Sequence, residues 1–374
     1  MLEMRSGRIL WLRWKNVGQQ KDRRERKCAV MWNLFTAIKA DGYELRKLVE
    51  LVRSVHFNFN PFERVIVTPV VASRHLIGAV SELRRRSDIQ VVMFDSGGYQ
   101  VQCGYIESFE KLCVRLANVW RRYDWADYFV LPDHVPKTKD SDEEVARKVR
   151  DTLLAGERFL KLLRHGEPIG VVHGRSVVQV IKGVRWWHSL GVRYVAFGSF
   201  ETAGRDESVN CVSSRSMVVL RALTEEALSL GMKVHVFGLG GPTSLEKVFL
   251  AAPFVESFDS AGWRKAAGFH EVFFGFRIKQ RLRTPKAITN RLVLNDEMLR
   301  VVKAFAGHDC PFCQSVTQLE NFHYRSLHNL VVVWEMARAL EVQTNAMNGG
   351  ALAHGDQDRP ENREVVAAVG RRRV

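Results

Sequence analysis

An acid, a hydroxyl group and two glycines directly follow an apolar run in the stretch FDSGGYQ at residues 94–100. The run before it, residues 89–94, predicts a buried strand, so Asp95 and Ser96 should lie where the strand emerges. An acid in such a place can carry a proton or act as a nucleophile. Asp95 is therefore a candidate reactive group, and the question is which elements position it.

From about residue 64, short apolar runs alternate with amphipathic stretches of helical length. Seven strands are predicted, over residues 64–70, 89–94, 127–131, 168–172, 193–197, 233–237 and 254–258. Helices are predicted over residues 109–122, 142–163, 177–190, 214–230 and 244–251. An eighth strand is either 272–276 or 330–333. This alternation predicts an α/β fold, a (β/α)8 TIM barrel, with an open doubly wound sheet as the alternative.

In both folds the catalytic groups follow the carboxyl ends of the strands. The residues there are Asp95, Asp133, His173, Gly198, Ser199, the glycine-rich run 238–241 and Asp259. Each acid taken alone is explained equally well as a helix cap. Their joint placement favours a common site.

The 374-residue chain carries a formal net charge of +15, from 56 basic and 41 acidic residues. Residues 1–60 and 264–303 hold most of this excess, which favours a polyanionic partner such as nucleic acid. A solvated helix face would give the same pattern. The sequence shows neither an apolar stretch long enough to cross a membrane nor a signal-peptide core, so we expect a cytoplasmic protein with no membrane partner.

The barrel is predicted to span residues 61–300. We interpret residues 1–60 as a basic N-terminal extension, with a strand near residues 9–14 and mainly helical structure over 29–55. Residues 342–374 lose hydrophobic periodicity and gather Asn, Gly, Asp and Arg, which is typical of a flexible tail.

Four stretches resemble the tRNA-guanine transglycosylase superfamily: FDSGGYQ at 94–100, FGLGG at 237–241, FDSAGW at 258–263 and HDCPFC…HNL at 308–330. The resemblance covers residues 64–335 in family order, and the two FD motifs are specific together. It implies a (β/α)8 barrel with a zinc-binding subdomain, here residues 301–341. It also implies a glycosyltransferase, more narrowly a pentosyltransferase, that exchanges guanine in nucleic acid for a 7-deazaguanine base.

The resemblance assigns a role to each acid. Asp259, in the second FD motif, is the expected nucleophile that attacks the sugar and holds it covalently. Asp95 is expected to protonate the departing guanine and then to deprotonate the incoming base. Retaining glycosidases use two carboxyl groups across a glycosidic bond in a similar way.

The same resemblance predicts the residues that bind the base. Asp133 should accept hydrogen bonds from guanine, and His173 stands where many relatives have glutamine. The backbones of Gly198 and Ser199 should approach the base, although the family's Gly-Gly-Leu reads Gly-Ser-Phe here. Further predicted contacts are Ser96, Gly97, Gly98, Tyr99, Gly238 and Gly240. The glycines let the backbone pass close to a flat base, on which the tyrosine ring can stack.

A structural Zn2+ is the expected cofactor, with His308, Cys310, Cys313 and His328 as its ligands. Relatives have Cys-x-Cys-x-x-Cys and a distant His, whereas a histidine begins the run in this chain. Two thiolates and two imidazoles at this spacing suit a closed tetrahedral site. His323 is the alternative fourth ligand, and a reduced CxxC pair with unrelated histidines is the alternative interpretation.

Departures from the tRNA enzymes favour DNA as the substrate. The nucleophile is not followed by the Pro-Thr-Arg segment that reads the anticodon loop, and Arg264 and Lys265 stand there instead as candidate phosphate contacts. A branch of the superfamily inserts 7-deazaguanine derivatives into DNA, for which 7-cyano-7-deazaguanine is the expected incoming base. Trp263 and Phe269 are candidate stacking or wedge residues, with core packing as the alternative.

Two other functions remain as alternatives: a transglycosylase that acts on tRNA, and a catalytically silent nucleic-acid-binding subunit of an exchange complex. The presence of both Asp95 and Asp259 favours the enzyme. A homodimer formed through the zinc region is expected by resemblance. A DNA enzyme must also take its base out of the stack, either alone or with a DNA-opening ATPase partner.

Overall fold

A closed barrel of eight parallel strands forms the centre of the protein. The computed structural model describes residues 32–56, 60–198, 214–275, 279–281 and 294–353. The strands are β1 (Asn33–Ala37), β2 (Arg64–Val67), β3 (Val91–Phe94), β4 (Tyr128–Val130), β5 (Glu167–Val172), β6 (Tyr194–Phe197), β7 (Lys233–Val236) and β8 (Ser257–Ser260). The connecting helices are α1 (Gly42–Ser54), α2 (Arg74–Arg85), α3 (Gly98–Gln102), α4 (Phe109–Arg122), α5 (Asp142–Leu160), α6 (Val177–Ser189), α7 (Ser214–Ser229) and α8 (Pro242–Ala251). The predicted (β/α)8 barrel is confirmed, and the open sheet is excluded.

The strand that completes the barrel is β1, which comes first in the chain. It pairs with β2 on one side and with β8 on the other, where Phe35 lies opposite Asp259. The expectation of mainly helical structure over 29–55 was therefore wrong at β1, and the barrel includes residues that we had assigned to the N-terminal extension. The strand predicted near residues 9–14 lies outside the described residues.

Local signals explain how the crossover helices begin and pack. Ser141 caps α5 and forms a capping box with Glu144, from the Ser-x-x-Glu spacing of residues 141–144. Outside the barrel, Trp187 of α6 is fully buried against β5, where a Cβ on Gly170 would lie 2.6 Å from the indole. A close approach of helix and sheet is what holds the strands, and hence the loops at their ends, in fixed positions.

The C-terminal part of the chain packs against one side of the barrel. Its elements are α9 (Gly262–Gly268), β9 (Glu271–Phe273), β10 (Lys279–Arg281), α10 (Asp296–Ala306), α11 (Val316–Glu320) and α12 (Phe322–Ala353). Neither alternative for the eighth strand is a barrel strand, because β9 pairs with β10 in a separate hairpin and 330–333 is helical. Asn329 of α12 bonds the backbone of Trp263 (3.2 Å) and Phe273 (2.8 Å), which joins α12 to α9 and β9.

The prediction of a flexible tail from residue 342 was wrong for the first residues of that stretch. Helix α12 continues to Ala353, and the buried Thr344 hydroxyl donates to the Pro253 carbonyl (3.0 Å), so this stretch is anchored on the barrel. Residues 354–374 lie outside the described part of the chain. Within that part, every helix is too short or too polar to cross a membrane.

Candidate functional site

The carboxyl ends of the strands bring the predicted site residues to one mouth of the barrel. Those found there are Asp95 after β3, Asp133 after β4, His173 after β5, Gly198 after β6 and Gly238 after β7. Asp259 lies within β8 itself, because this strand ends at Ser260 and not at Phe258 as predicted. Ser199 lies outside the described residues.

Hydrogen bonds of its backbone and of its carboxylate hold Asp95 at the mouth. Its N–H donates to the Val67 carbonyl (2.8 Å), and the Thr68 hydroxyl donates to Oδ2 (2.8 Å). Burial raises the pKa of Asp95 from 3.8 to about 7, although the Thr68 hydrogen bond opposes this shift. The charges of Asp133 and Asp259 raise the pKa further, so the three carboxyl groups share one electrostatic environment.

The turn from β3 into α3 requires its two glycines. Gly97 has a φ of 85°, in the left-handed region that favours glycine. A Cβ on Gly98 would lie 2.3 Å from Asp133 Oδ1, so only glycine lets that carboxylate come so close. Tyr99 follows at the start of α3, half-buried beside Cys103, and burial raises the pKa of Tyr99 to about 12. The two glycines thus allow the start of α3 to pack directly against the Asp133 carboxylate.

Asp133 is the centre of a buried polar cluster. The Ser96 hydroxyl donates to Oδ1, and His173 Nε2 lies 2.9 Å from Oδ2. Because a carboxylate only accepts, Nε2 of His173 carries a proton. The buried Nδ1 has no hydrogen-bond partner among the described residues and is an acceptor in the neutral imidazole. The acid stands between serine and imidazole, so this cluster does not activate Ser96 as a Ser-His-Asp triad activates its serine.

The two carboxylate oxygens of Asp259 differ in their hydrogen bonds to the described residues. The Gly238 N–H donates to Oδ1 (2.8 Å), and Nε2 of His235 lies 3.5 Å from the same oxygen. Within the described residues, Oδ2 receives no hydrogen bond. The sequence analysis did not single out His235, although a histidine inside an apolar strand was a signal available in the sequence.

Glycines also shape the loops that follow β6, β7 and β8. A Cβ on Gly198 would lie 2.7 Å from Cε1 of His173, so glycine gives the imidazole its room. A Cβ on Gly262 would overlap the carbonyl oxygen of Gly240. A Cβ on Gly240 itself would meet no atom within 4 Å. The two loops beside Asp259 are therefore in direct contact and leave space at Gly240.

The two predicted phosphate contacts differ in exposure. The Arg264 guanidinium binds both carboxylate oxygens of Glu44 (2.9 and 2.7 Å) and lies over the Phe322 ring. Lys265 is exposed. Arg264 is thus engaged within the protein, where it ties α9 to α1.

The two candidate wedge residues also differ. Trp263 is 1% exposed, and its Nε1 donates to the Ser260 carbonyl (3.1 Å), which makes it a core aromatic residue. Phe269 is 63% exposed. Of the pair, Phe269 alone is accessible to a partner.

A buried cluster beside β9 has the ligand set of a metal site. It consists of His308, Cys310, Cys313 and His328, hereafter the His/Cys cluster, whose ligand atoms all lie within 4.8 Å of one another. The two sulfur atoms are 3.4 Å apart, and the two facing imidazole nitrogens are 3.2 Å apart. The alternative ligand His323 lies elsewhere, 3.7 Å from Glu44.

The remaining nitrogen of each imidazole in the His/Cys cluster is held in place. Nδ1 of His308 lies 2.7 Å from the Glu335 carboxylate, and Nε2 of His328 lies 2.7 Å from the Phe273 carbonyl. Such partners orient histidines that ligate metals. The cluster therefore offers two sulfur atoms, Nε2 of His308 and Nδ1 of His328 to a metal ion.

Fold and site together define a (β/α)8 barrel with three carboxyl groups at its mouth and a candidate metal centre in its C-terminal part. The chain matches no model of a known protein family. It also matches no curated protein. The chemistry of the mouth is therefore the basis for assigning a function.

Proposed function

We propose that this protein is a guanine transglycosylase that exchanges guanine in nucleic acid, preferably DNA, for a 7-deazaguanine base. The observation that carries the proposal is the position of Asp95 and Asp259. The two acids of the FD motifs share one mouth, where the charge of one raises the pKa of the other. This arrangement supports a double displacement at a sugar carbon, as the motif resemblance implies.

In the first step, Oδ2 of Asp259 attacks C1′ of the target nucleoside. The bond from C1′ to guanine breaks, its electron pair stays on the base, and the proton of Asp95 neutralises the leaving group. In the second step, the incoming base gives its N9 proton to Asp95, its nitrogen bonds to C1′, and the ester to Asp259 breaks. Two inversions give retention, and both acids return to their starting states.

The environment of Asp95 suits this alternation. A group that gives a proton in one step and takes one in the next works best when its pKa lies near the working pH. Burial raises the pKa of Asp95 to about 7. Thr68 stabilises the ionised form through its hydrogen bond, so neither state of the carboxyl is strongly favoured.

The cluster around Asp133 supports recognition of a base that offers hydrogen-bond donors. Ser96 and His173 each use one lone pair of the carboxylate, and each oxygen keeps a second lone pair. Nδ1 of His173 adds another acceptor. Guanine and 7-deazaguanines present N1–H and an exocyclic amine, which match acceptors. The imidazole does not offer the donor to the base carbonyl that a glutamine would.

The preference for DNA rests on the sequence after the nucleophile. The tRNA enzymes read the anticodon loop with arginines there, whereas Arg264 is bound to Glu44. Nucleic acid must then be held by other basic groups, such as the exposed Lys265. Transfer to tRNA is the alternative that the experiment below distinguishes.

We propose Zn2+ as the metal of the His/Cys cluster, with a structural role. Two thiolates and two imidazoles fill the tetrahedral shell that zinc prefers, so no position is left for a substrate. When bound, the ion would crosslink the loop after α10 to α12. The two catalytic steps proposed above use none of the four residues of this cluster.

Covalent trapping tests the proposal and its substrate class together. The protein is incubated with labelled 7-cyano-7-deazaguanine and either double-stranded DNA, single-stranded DNA or tRNA, and both base incorporation and a denaturant-stable adduct are measured. We expect incorporation into DNA, no adduct with Asp259→Asn, and slow exchange with Asp95→Asn. Asp124→Asn is the matched control, since this exposed acid lies before β4 at the opposite end of the barrel.

The outcomes separate the alternatives. Incorporation into tRNA alone would show that the enzyme acts on tRNA and not on DNA. Binding of nucleic acid without incorporation into any substrate would indicate a silent subunit. Exchange that survives Asp259→Asn would contradict the assignment of the nucleophile.

A further inference from the structure

A column of polar side chains crosses the otherwise apolar interior of the barrel and ends at Asp259. Tyr194 of β6 and His235 of β7 both hydrogen bond to Ser257 of β8. His235 and Ser257 are fully buried, and the ring of Phe35 meets the imidazole edge to face. Burying polar groups among apolar side chains lowers stability unless each group is hydrogen-bonded, so such a column suggests a functional role.

One arrangement of the protons gives each buried donor of the column an acceptor. Burial keeps the pKa of Tyr194 well above its ordinary value, so the phenol stays protonated. Either hydroxyl of the Tyr194–Ser257 pair can donate, and donation by Tyr194 gives the buried phenol proton an acceptor. Ser257 then gives its own proton to Nδ1 of His235, which leaves the imidazole proton on Nε2. The opposite order would turn the bare lone pair of Nε2 towards the Asp259 carboxylate, 3.5 Å away.

We propose that His235 is a positioning residue for Asp259, because the buried Nε2 lies 3.5 Å from Asp259 Oδ1 and has no hydrogen-bond partner among the described residues. Together with the Gly238 N–H, it would fix Oδ1 and turn Oδ2 towards the substrate. The catalytic consequence rests on the proposed function, in which Oδ2 bonds to C1′. The 3.5 Å separation is longer than an ordinary hydrogen bond, and such contacts often tighten when the substrate is bound.

The same donor would act again when the sugar leaves. As the ester to Asp259 breaks, negative charge returns to the carboxylate in a buried place. A preorganised N–H at Oδ1 stabilises that developing charge. Loss of His235 should therefore slow both formation and breakdown of the covalent intermediate.

The tautomer of His235 tests the geometry without any need for catalysis. In the full chain labelled with 15N-histidine, a two-bond 1H–15N spectrum distinguishes a proton on Nε2 from one on Nδ1. The signal absent from His235→Gln identifies this ring among the 12 histidines. We expect the proton on Nε2 in the wild type and a mixture of tautomers in Ser257→Ala. A proton on Nδ1 alone would overturn the proposal.

Rates of adduct formation and release measure the consequence. His235→Phe should slow both by about 100-fold, the effect of removing one preorganised donor. His235→Gln carries an amide N–H of similar reach and should recover a large part of the rate, at a KM close to that of the wild type. Equal losses in the two variants, or no loss in either, would contradict a positioning role.

The two proposals fail in different ways. A wild-type protein that exchanges no base contradicts the proposed function and leaves the tautomer result standing. An active enzyme with its proton on Nδ1 contradicts only the role of His235.

Discussion

Replacing Asp95 by asparagine should stabilise the protein at alkaline pH while it abolishes efficient base exchange. The reason is the raised pKa of Asp95, which burial brings from 3.8 to about 7. A carboxyl with such a pKa binds its proton more tightly in the folded protein than in the unfolded chain. Its stabilising effect is complete below about pH 4 and is lost as the pH rises through 7. Asp95→Asn keeps the shape of the side chain and removes the ionisation.

The size of the effect follows from the shift. A difference of about three pKa units corresponds to about 4 kcal/mol at pH 8, since each unit is worth 1.36 kcal/mol. At pH 5.5 about half of that difference remains. Asp95 is partly accessible at the mouth, where water recovers part of the cost, so these values are upper limits. The free energy of unfolding should thus favour the variant by about 1 to 4 kcal/mol at pH 8 and by clearly less at pH 5.5.

Urea unfolding followed by circular dichroism at the two pH values measures the difference. Asp124→Asn removes an exposed acid and should change the free energy of unfolding by less than about 0.5 kcal/mol at either pH. A variant Asp95→Asn that is less stable than the wild type at pH 8, or equally more stable at both pH values, would refute the reasoning.

Three further predictions concern other contacts. Gly98→Ala should displace Asp133 and lower the free energy of unfolding by more than about 1 kcal/mol, because the new Cβ would lie 2.3 Å from Asp133 Oδ1. In the control Gly78→Ala the new Cβ meets no atom within 4 Å, and equal free energies of unfolding in the two variants would contradict the steric argument. Chelation should remove one equivalent of zinc and lower the melting temperature, and added zinc should restore it; a purified protein without bound metal, measured by mass spectrometry, would contradict the assignment of the His/Cys cluster. Arg264→Ala and Glu44→Gln should each lower the free energy of unfolding by about 1 to 3 kcal/mol with little change in gel-shift affinity for DNA; a loss of affinity in Arg264→Ala alone would place this arginine at the nucleic-acid surface.

The sequence predicted those features that depend on neighbours in the chain. The capping box at Ser141 and seven of the barrel strands follow from local patterns, and so does the pair of cysteines in the His/Cys cluster. The choice of His328 over His323 required the fold, because both histidines lie near the start of α12 and only one faces the cysteines. The engagement of Arg264 by Glu44 could not be predicted, since 220 positions separate them.

Strand β1 shows why closure of the barrel was hard to predict and why it matters for the site. Its sequence, NLFTA, has two polar residues in five, and its strand form depends on pairing with β2 and β8. In an open sheet of the same strand order, β3 and β8 would be five steps apart, or about 24 Å at about 4.8 Å per step. Closure through β1 leaves β3 and β8 three steps apart around a ring, with their ends turned into one mouth. The meeting of Asp95 and Asp259 therefore depends on the strand that local patterns predict least well.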